Sequence, residues 1–552
     1  MQKKLNIASA SIVEELHSLS NKPGNPSRKK ELLLSAMSEP LKTAILVSKY
    51  HDTLLFLLAY PENAELLLLA KIALEKLCID LDEQHSDKLE GTGIISTTLI
   101  TCPTFELLKR LNELFPEQIR LDSSNADKET VSKIFKLLLP IAEHETIDKK
   151  DLSLLQRIRQ VRKGNVKGEV SWLLNVFIDR FGKDESLLDY FFNALQLYIS
   201  IPLNENTFSR TTLRSLPYPT HFHKTELKKQ VDVKKILGEK ISPPLLLKKE
   251  ERIQLADTSR AALALLLRET DPVTYANPNE IEWHDMGKGF RIALFGMVPS
   301  RRFSFDSYIG YMAFKNGIPA AYGGAWMMGE GAKVGVNIFE PLRGGESAWT
   351  FCQILRLYRQ RYNVAKFVVE PYQYGKHNPE GIKSGAFWFY YRLGFRPMND
   401  ELCLLAEEEA KNIREQKGYR TSAETLQKFT HSNLELRFTE TAPLFPDTEK
   451  LSAALTEHIA THFSGDRKVA EENIQKHLIK HLGLNVPKWN ADEQEGFRKM
   501  SLLFLLVPGI ENWSKAEKVQ LAKLLKARGG VREFEYIQLL RKHVKLLKAL
   551  TF

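Results

Sequence analysis

The loop PLRGGES at residues 341–347 has residue types that suit the binding of an anion. It follows a predicted strand and opens a predicted helix, so unpaired backbone N–H groups and the positive end of the helix dipole would meet there. Gly344 and Gly345 let the backbone turn tightly and approach a ligand closely. Arg343 adds a fixed charge suited to phosphate. The loop is therefore a candidate phosphate site, although an ordinary strand-to-helix turn explains the two glycines equally well.

A predicted helix rich in aromatic residues, SGAFWFYYRLGFRP at 384–397, follows one predicted strand later. The loop and this helix together resemble two signature segments of the GNAT superfamily of acyl-CoA-dependent N-acyltransferases. In that family a strand ends in a pyrophosphate-binding loop of the form Arg/Gln-x-x-Gly-x-Gly/Ala. A later helix carries an alanine, a tyrosine four residues on and a terminal Gly-Phe. The second pattern is matched here by Ala386, Tyr390, Gly394 and Phe395.

The loop pattern of the family is matched at its ends by Arg343 and Ala348, while Glu346 stands where the pattern has its middle glycine. Family members often place an asparagine seven residues before the tyrosine. That position is Lys383 here, and Asn378 is the expected substitute. The resemblance implies acetyl-CoA or another acyl-CoA as the donor substrate, bound by Leu342, Arg343, Gly344, Gly345, Glu346, Ser347, Ala348 and Asn378.

The resemblance also implies a mechanism of direct transfer. The donor thioester lies between two strands that part in the middle of the sheet, and an amine attacks its carbonyl. Tyr390 is the expected acid for the leaving thiolate, because a phenol can donate a proton to a thiolate of lower basicity. A packed core aromatic is the alternative interpretation of Tyr390, since its helix also contains Phe387, Trp388 and Phe389.

Two glutamates are candidates for the base that accepts the proton of the amine. Glu340 and Glu370 each end a predicted strand, near the strand ends where α/β sheets commonly hold ligands. We expect partial burial there to raise the pKa of the carboxylate toward a value suited to general-base catalysis, and we rank Glu370 first. A proline follows each glutamate, so both residues also suit a purely structural role at a strand end.

The pattern of strands and helices around these residues predicts an α/β domain with a mixed GNAT-like sheet over residues 257–405. A helix is expected near Ser259–Glu269. Two short strands follow in EIEWHDMGKGFRIALFGM, and then a hairpin that turns at Lys315-Asn316-Gly317. The remaining order is strand in AKVGVNIFEP, helix in ESAWTFCQILRLYRQRY, strand in VAKFVVEP, the aromatic helix, and strand in FRPMN.

The flanks of this domain are predicted to be helical. Residues 1–203 are predicted to be all-α, and residues 406–552 mostly α-helical with one strand in SNLELRF. Capping boxes are expected at Thr421 with Glu424 and at Ser514 with Glu517. Residues 204–256 form a connector rich in proline and lysine, and its lysines include Lys228, Lys229, Lys234, Lys235, Lys248 and Lys249.

Composition sets broad limits on function. The chain has 43% hydrophobic and 26% charged residues, so a large core is expected, and its net charge of +10 permits a nucleic-acid partner without requiring one. Four scattered cysteines argue against a disulfide framework, and the helical histidine pairs lack a nearby carboxylate, so no metal is expected. No apolar run is long enough to span a bilayer. A cytoplasmic protein is the consistent expectation.

Three functional hypotheses remain open at this stage. The first is an acyl-CoA-dependent acyltransferase that acts on an amine, either a small molecule or a protein. The second keeps the fold but takes its acyl group from aminoacyl-tRNA or a carrier protein, which Glu346 and the basic connector would suit better. The third is a non-catalytic GNAT-like scaffold between helical modules.

Overall fold

In a computed structural model, the chain forms two compact units built from its helical and alternating apolar segments. The structure describes residues 2–41, 43–81, 86–147, 152–162, 168–228 and 230–552. The first unit comprises Met1–Glu226, Gln254–Thr270 and Lys315–Pro319. The second comprises Leu227–Ile253, Asp271–Phe314 and Ala320–Phe552. The predicted boundaries at residues 203, 256 and 405 stay a prediction.

The N-terminal part of the first unit is mainly helical. Thr43 and Asn63 cap its two most apolar helices, Ala44–Ala59 and Ala64–Asp80, by accepting hydrogen bonds from backbone N–H groups of the first turn. The elements in chain order are α1 Gln2–Ser20, α2 Pro26–Ser38, α3 Ala44–Ala59, α4 Ala64–Asp80, β1 Thr98–Thr101, α5 Phe105–Leu114, β2 Arg120–Ser124, α6 Lys128–Leu138, α7 His144–Ile147, α8 Leu154–Arg162, α9 Glu169–Phe181, α10 Glu185–Ala194 and β3 Leu197–Pro202.

A small antiparallel sheet, with strand order β1-β3-β2, corrects the prediction that residues 1–203 are all-α. In β3 the side chains alternate between buried and half-buried, as expected for a strand that presents one face to a core. Ile199 and Ile201 are fully buried in that core, which is built mainly from α5, α6, α9 and α10. Each strand has only four to six residues, so its periodicity is too short to stand out among the helices.

The segment predicted as a connector contains one short helix and the start of a longer one. These are α11 Val233–Gly238 and α12 Lys249–Ala264, so the helix expected near Ser259 begins earlier. Leu245 forms a single antiparallel bridge with Trp283. Of the connector lysines named above, Lys229 lies outside the described residues.

The rest of the chain forms a large mixed sheet with helices. Its elements are α13 Asp271–Thr274, β4 Glu282–Asp285, β5 Phe290–Phe295, β6 Ser307–Lys315, β7 Ile318–Met328, β8 Gly331–Val334, β9 Asn337–Ile338, α14 Ser347–Tyr362, β10 Lys366–Val369, α15 Pro379–Ser384, α16 Ala386–Arg392, β11 Arg396–Pro397, α17 Asp400–Glu415, α18 Ala423–Phe429, β12 Leu434–Arg437, α19 Thr448–Phe463, α20 Arg467–Leu482, α21 Ala491–Ser501, α22 Lys515–Ala527, α23 Glu533–Lys542 and α24 Val544–Leu550.

The strand order of this sheet is β11-β12-β10-β8-β7-β6-β5-β4, and β9 pairs with β7. The pairing of β8 with β10 is parallel, whereas β10 with β12 and β7 with β8 are antiparallel. The mixed sheet and the helical flanks predicted from the sequence are therefore confirmed. The predicted hairpin turn is confirmed as well: Asn316 and Gly317 both have positive φ, 44° and 86°, as a tight two-residue turn requires.

Two capping predictions can be compared with the C-terminal helices. Ser514 and Glu517 form the predicted capping box at the start of α22. The prediction at Thr421 is wrong by one residue, because Ser422 is the N-cap of α18 and accepts a hydrogen bond from the Thr425 N–H. Across the described ranges, no helix combines the length and the apolar character needed to cross a membrane.

Candidate functional site

The two parallel strands β8 and β10 part in the middle of the large sheet. They pair over three positions, from Gly331 with Lys366 to Lys333 with Val368. Strand β8 ends at Val334. The chain then forms β9, which pairs with β7, the strand on the opposite side of β8 from β10. After Val369, β10 ends and the chain turns into a 3₁₀ helix over Pro371–Tyr374. The backbone pairing between these two parallel strands thus ends at their carboxyl ends.

Gly335 lies between β8 and β9, where the parallel pairing with β10 ends. Its carbonyl accepts a hydrogen bond from the Tyr311 hydroxyl, with an O–O distance of 3.1 Å. A Cβ at this position would lie 3.0 Å from Nε2 of Gln373, so the glycine leaves room for that side chain. Burial, with a smaller contribution from the nearby phenol of Tyr390, raises the pKa of Tyr311 well above its ordinary value. Gln373, Tyr311 and Tyr390 therefore gather at one place.

Tyr390 lies in α16 and is 3% exposed. Its ring packs against Phe351 at a centroid distance of 5.7 Å and against Tyr374 at 6.4 Å. In the described part of the chain, its hydroxyl has no hydrogen-bond partner. Burial raises the pKa of Tyr390 well above its ordinary value. The phenol therefore stays protonated at neutral pH.

The loop between β9 and α14 leads directly into the first turn of α14. Leu342 is buried and anchors it, while Arg343 is exposed and its Nε lies 3.5 Å from the Ile338 carbonyl oxygen. The Glu346 side chain forms no cap on α14. Within the described chain, the backbone N–H groups of Ser347 and Ala348 donate to no other group. Two adjacent backbone N–H groups and the exposed guanidinium of Arg343 are thus available to a ligand at the start of α14.

The carboxylate of Glu346 is turned away from this helix start and is buried, at 3% exposure. One of its oxygens accepts a hydrogen bond from the backbone N–H of Lys228, at 3.2 Å. Burial lowers the pKa of Lys288, the ammonium of Lys228 lowers it further, and the Glu346 carboxylate acts in the opposite direction. Glu346 thus accepts a backbone hydrogen bond from Lys228 and interacts electrostatically with the ammonium of Lys288.

Both candidate bases are exposed, which differs from the partial burial expected for them. Glu370 directly follows β10, and its carboxylate lies 2.9 Å from the ammonium of Lys333. Glu340 begins a 3₁₀ turn over Glu340–Leu342, two residues after β9. Glu370 is thus held in a surface ion pair with Lys333 rather than in a partly buried environment.

Asn378, the expected substitute for the family's asparagine, has a structural role. Its side-chain oxygen caps α15 by accepting from the Gly381 N–H at 3.4 Å, and its side-chain nitrogen donates to the Tyr372 carbonyl at 3.0 Å. Both ends of the amide are thus occupied within its own turn.

Three residues at the site were missed by reasoning from the sequence: Tyr311, Gln373 and Lys288. Tyr311 sits in β6, where every residue is buried, so its pattern is that of an ordinary central strand. Gln373 gave no signal, since nothing local indicates that it reaches Gly335. Lys288 lies between Gly287 and Gly289 in the predicted turn, which was the only available hint.

In comparisons with protein-family models, with curated proteins and with solved structures, no match to the chain was found. Within the described ranges, no group of three or more histidine, cysteine, aspartate or glutamate side chains is arranged to hold a metal ion.

Proposed function

We propose that the second unit contains a GNAT-like domain that transfers an acyl group from acetyl-CoA or another acyl-CoA to an amine. The observation that carries the proposal is that the parallel strands β8 and β10 stop pairing at their carboxyl ends, with Gly335, Tyr311 and Tyr390 close together at that point. Parallel strands that part at their carboxyl ends give an extended ligand a path into the sheet. The two sequence patterns that resemble the superfamily lie on either side of β10 along the chain.

The loop supports the binding of the donor's pyrophosphate. The free N–H groups of Ser347 and Ala348 lie at the positive end of the α14 dipole, and Arg343 can add a charged hydrogen bond. The Glu346 carboxylate that replaces the pattern's glycine is buried, accepts the Lys228 backbone N–H and interacts with the Lys288 ammonium, which opposes its negative charge. The departure from the family pattern is therefore compatible with an anion at the helix start.

Tyr390 supports the chemical step. When the amine nitrogen forms its bond to the acyl carbon, the carbon–sulfur bond breaks and the sulfur leaves with the electron pair. The protonated phenol of Tyr390 can give its proton to that thiolate. The amine loses one proton in the same reaction. Glu370 and Glu340 remain the candidate acceptors, and their exposure favours transfer through water.

Isothermal titration of the full chain with acetyl-CoA and with a longer acyl-CoA tests the binding step. We expect micromolar binding, and at least a tenfold weaker affinity, or about 1.4 kcal/mol, for Arg343→Glu. Arg414→Glu is the matched control, because Arg414 is an equally exposed arginine in α17. The absence of binding to any acyl-CoA, or an equal loss in both variants, contradicts the proposal.

Turnover of Tyr390→Phe tests the chemical step. Loss of the phenolic proton should lower kcat by about 10²- to 10⁴-fold with little change in acyl-CoA affinity, since the ring still packs against Phe351. Tyr391→Phe, one residue along the same helix, is the matched control and should keep its rate. An unchanged kcat in Tyr390→Phe assigns this tyrosine to the core.

A donor other than CoA is favoured by one observation, the pair of lysines beside the α14 N-terminus. A polyanion such as aminoacyl-tRNA would be attracted by the same charges. Binding of charged tRNA that weakens steeply with salt, with no binding of acyl-CoA, would replace the first donor by this one.

A further inference from the structure

The first unit contains a partly open cavity of about 470 Å³, which is within the size range of small-molecule sites. Its wall is formed by α3, α4, the segment 211–220 and the turn at 316–318. Leu58, Leu67 and Leu74 give part of this wall an apolar surface. The segment 211–220 contributes several hydroxyl groups, among them those of Thr212, Ser215 and Tyr218, and these can accept or donate further hydrogen bonds.

Arg214 supplies a positive charge to the wall of this cavity. Its Nη1 donates to the carbonyl of Leu213 at 2.8 Å. Within the described chain, its guanidinium forms no ion pair with a carboxylate. Burial lowers the pKa of Arg214 to about 10, with the Cys78 thiol acting in the opposite direction. Enclosing a charge without a counter-charge costs several kcal/mol, so an anion placed in the cavity would offset this cost.

The charges around the cavity indicate how many negative charges the ligand carries. Lys71 and Glu75 of α4 also line it, both are exposed, and their charges cancel. Arg214 then leaves a single positive charge without compensation. A carboxylate carries one negative charge and matches the fork of a guanidinium through two parallel hydrogen bonds, whereas a phosphate monoester carries nearly two.

We propose that this cavity binds a small organic monocarboxylate, whose carboxylate pairs with Arg214 and whose apolar chain lies against Leu58, Leu67 and Leu74. The site lies within the first unit and does not depend on the acyltransferase function proposed for the second. It requires a ligand with an acid group at one end and a hydrocarbon body, because the wall combines the positive charge of Arg214 with an apolar surface.

Titration of the full-length protein with butyrate, hexanoate and octanoate tests this proposal, with hexyl phosphate and inorganic phosphate as further probes. Affinity should rise with chain length and fall at least about tenfold in Arg214→Met, with part of it retained in Arg214→Lys. Tighter binding of hexyl phosphate than of hexanoate overturns the charge argument. Equal affinity of wild type and Arg214→Met for octanoate overturns the site.

Alkylation of Cys78 gives a second measurement that needs no variant. Cys78 lines the cavity and is half-buried, whereas Cys102 of the same unit is exposed. Octanoate should slow the iodoacetamide reaction of Cys78, followed by peptide mass spectrometry, and leave the reaction of Cys102 unchanged. Equal rates at Cys78 with and without octanoate contradict the proposal even if Arg214→Met fails to fold.

Discussion

Arg302 and Arg528 of the second unit are buried opposite carboxylates, whereas Arg214 of the first unit faces a cavity. Nη2 of Arg302 lies 3.4 Å from Glu280 and its Nε lies 3.6 Å from Glu533. Nη2 of Arg528 lies 3.1 Å from the other oxygen of Glu533. The same residue type thus appears once with its counter-charges built into the protein and once without them.

This difference separates a structural arginine from a binding one. Glu280 also accepts backbone hydrogen bonds from Glu533 and Phe534, so the paired arginines belong to a network that fixes the start of α23 on the rest of its unit. Buried charges that are paired with each other do not need a ligand as a counter-charge. A half-buried charge that borders a cavity can instead take its counter-charge from a bound ligand.

The largest effect is expected from Glu533→Ala, which leaves two buried arginines with too little negative charge. The free energy of unfolding should fall by about 3–5 kcal/mol, measured by urea denaturation. Glu535→Ala, at an exposed position of the same helix, should change it by less than about 0.5 kcal/mol. Similar losses in both variants would show that the network is not what stabilises this helix.

An intermediate effect is expected from the pH dependence of Glu282. Burial would raise the pKa of Glu282, but hydrogen bonds from Arg361 and His284 outweigh it and lower the pKa to about 2. The stabilisation, on the order of 3 kcal/mol, is therefore complete above pH 4.5 and is lost as the pH falls toward 2. The stability difference between wild type and Glu282→Gln should shrink over that range.

Urea denaturation at pH 7, 5, 4 and 3 measures this difference. Glu440→Gln, at an exposed position, is the control and should follow wild type at each pH. A difference that is constant from pH 7 to pH 3 contradicts the assigned pKa.

The smallest effect is expected from Arg214→Met in the absence of ligand. Removal of a half-buried charge that has no counter-charge offsets the packing that the side chain loses, so the free energy of unfolding should change by less than about 1 kcal/mol. Arg302→Met should instead lose about 3 kcal/mol or more, because Glu280 loses its arginine and Glu533 keeps only Arg528 as its counter-charge. A comparable loss at Arg214 would mean that the protein already compensates its charge.

The sequence predicted most elements of the large sheet because their signals are local. The Asn316-Gly317 pair marks its hairpin by two positive φ angles, and the Ser514–Glu517 box marks a helix start. The loop at 341–347 was placed correctly between a strand and a helix for the same reason. Patterns confined to a few neighbouring residues determine such features.

The side-chain environments at the site depend on distant contacts, so the sequence could not predict them. Glu346 is buried because its partner, the Lys228 N–H, comes from 118 residues earlier in the chain. Glu370 is paired with Lys333 because β8 and β10 adjoin in a particular register. The three short strands of the first unit were missed because their periodicity becomes clear only when the sheet they share is known.

The two ends of the large sheet have a consequence for its tendency to aggregate. At one end β11 has only two residues, and the second is Pro397, which has no N–H to offer a further strand. At the other end, Leu245 donates its N–H to the Trp283 carbonyl and occupies part of the β4 edge. A sheet of this width would otherwise present two open templates on which other chains could pair. Short, proline-terminated and partly covered edges therefore protect the protein from edge-to-edge association at high concentration.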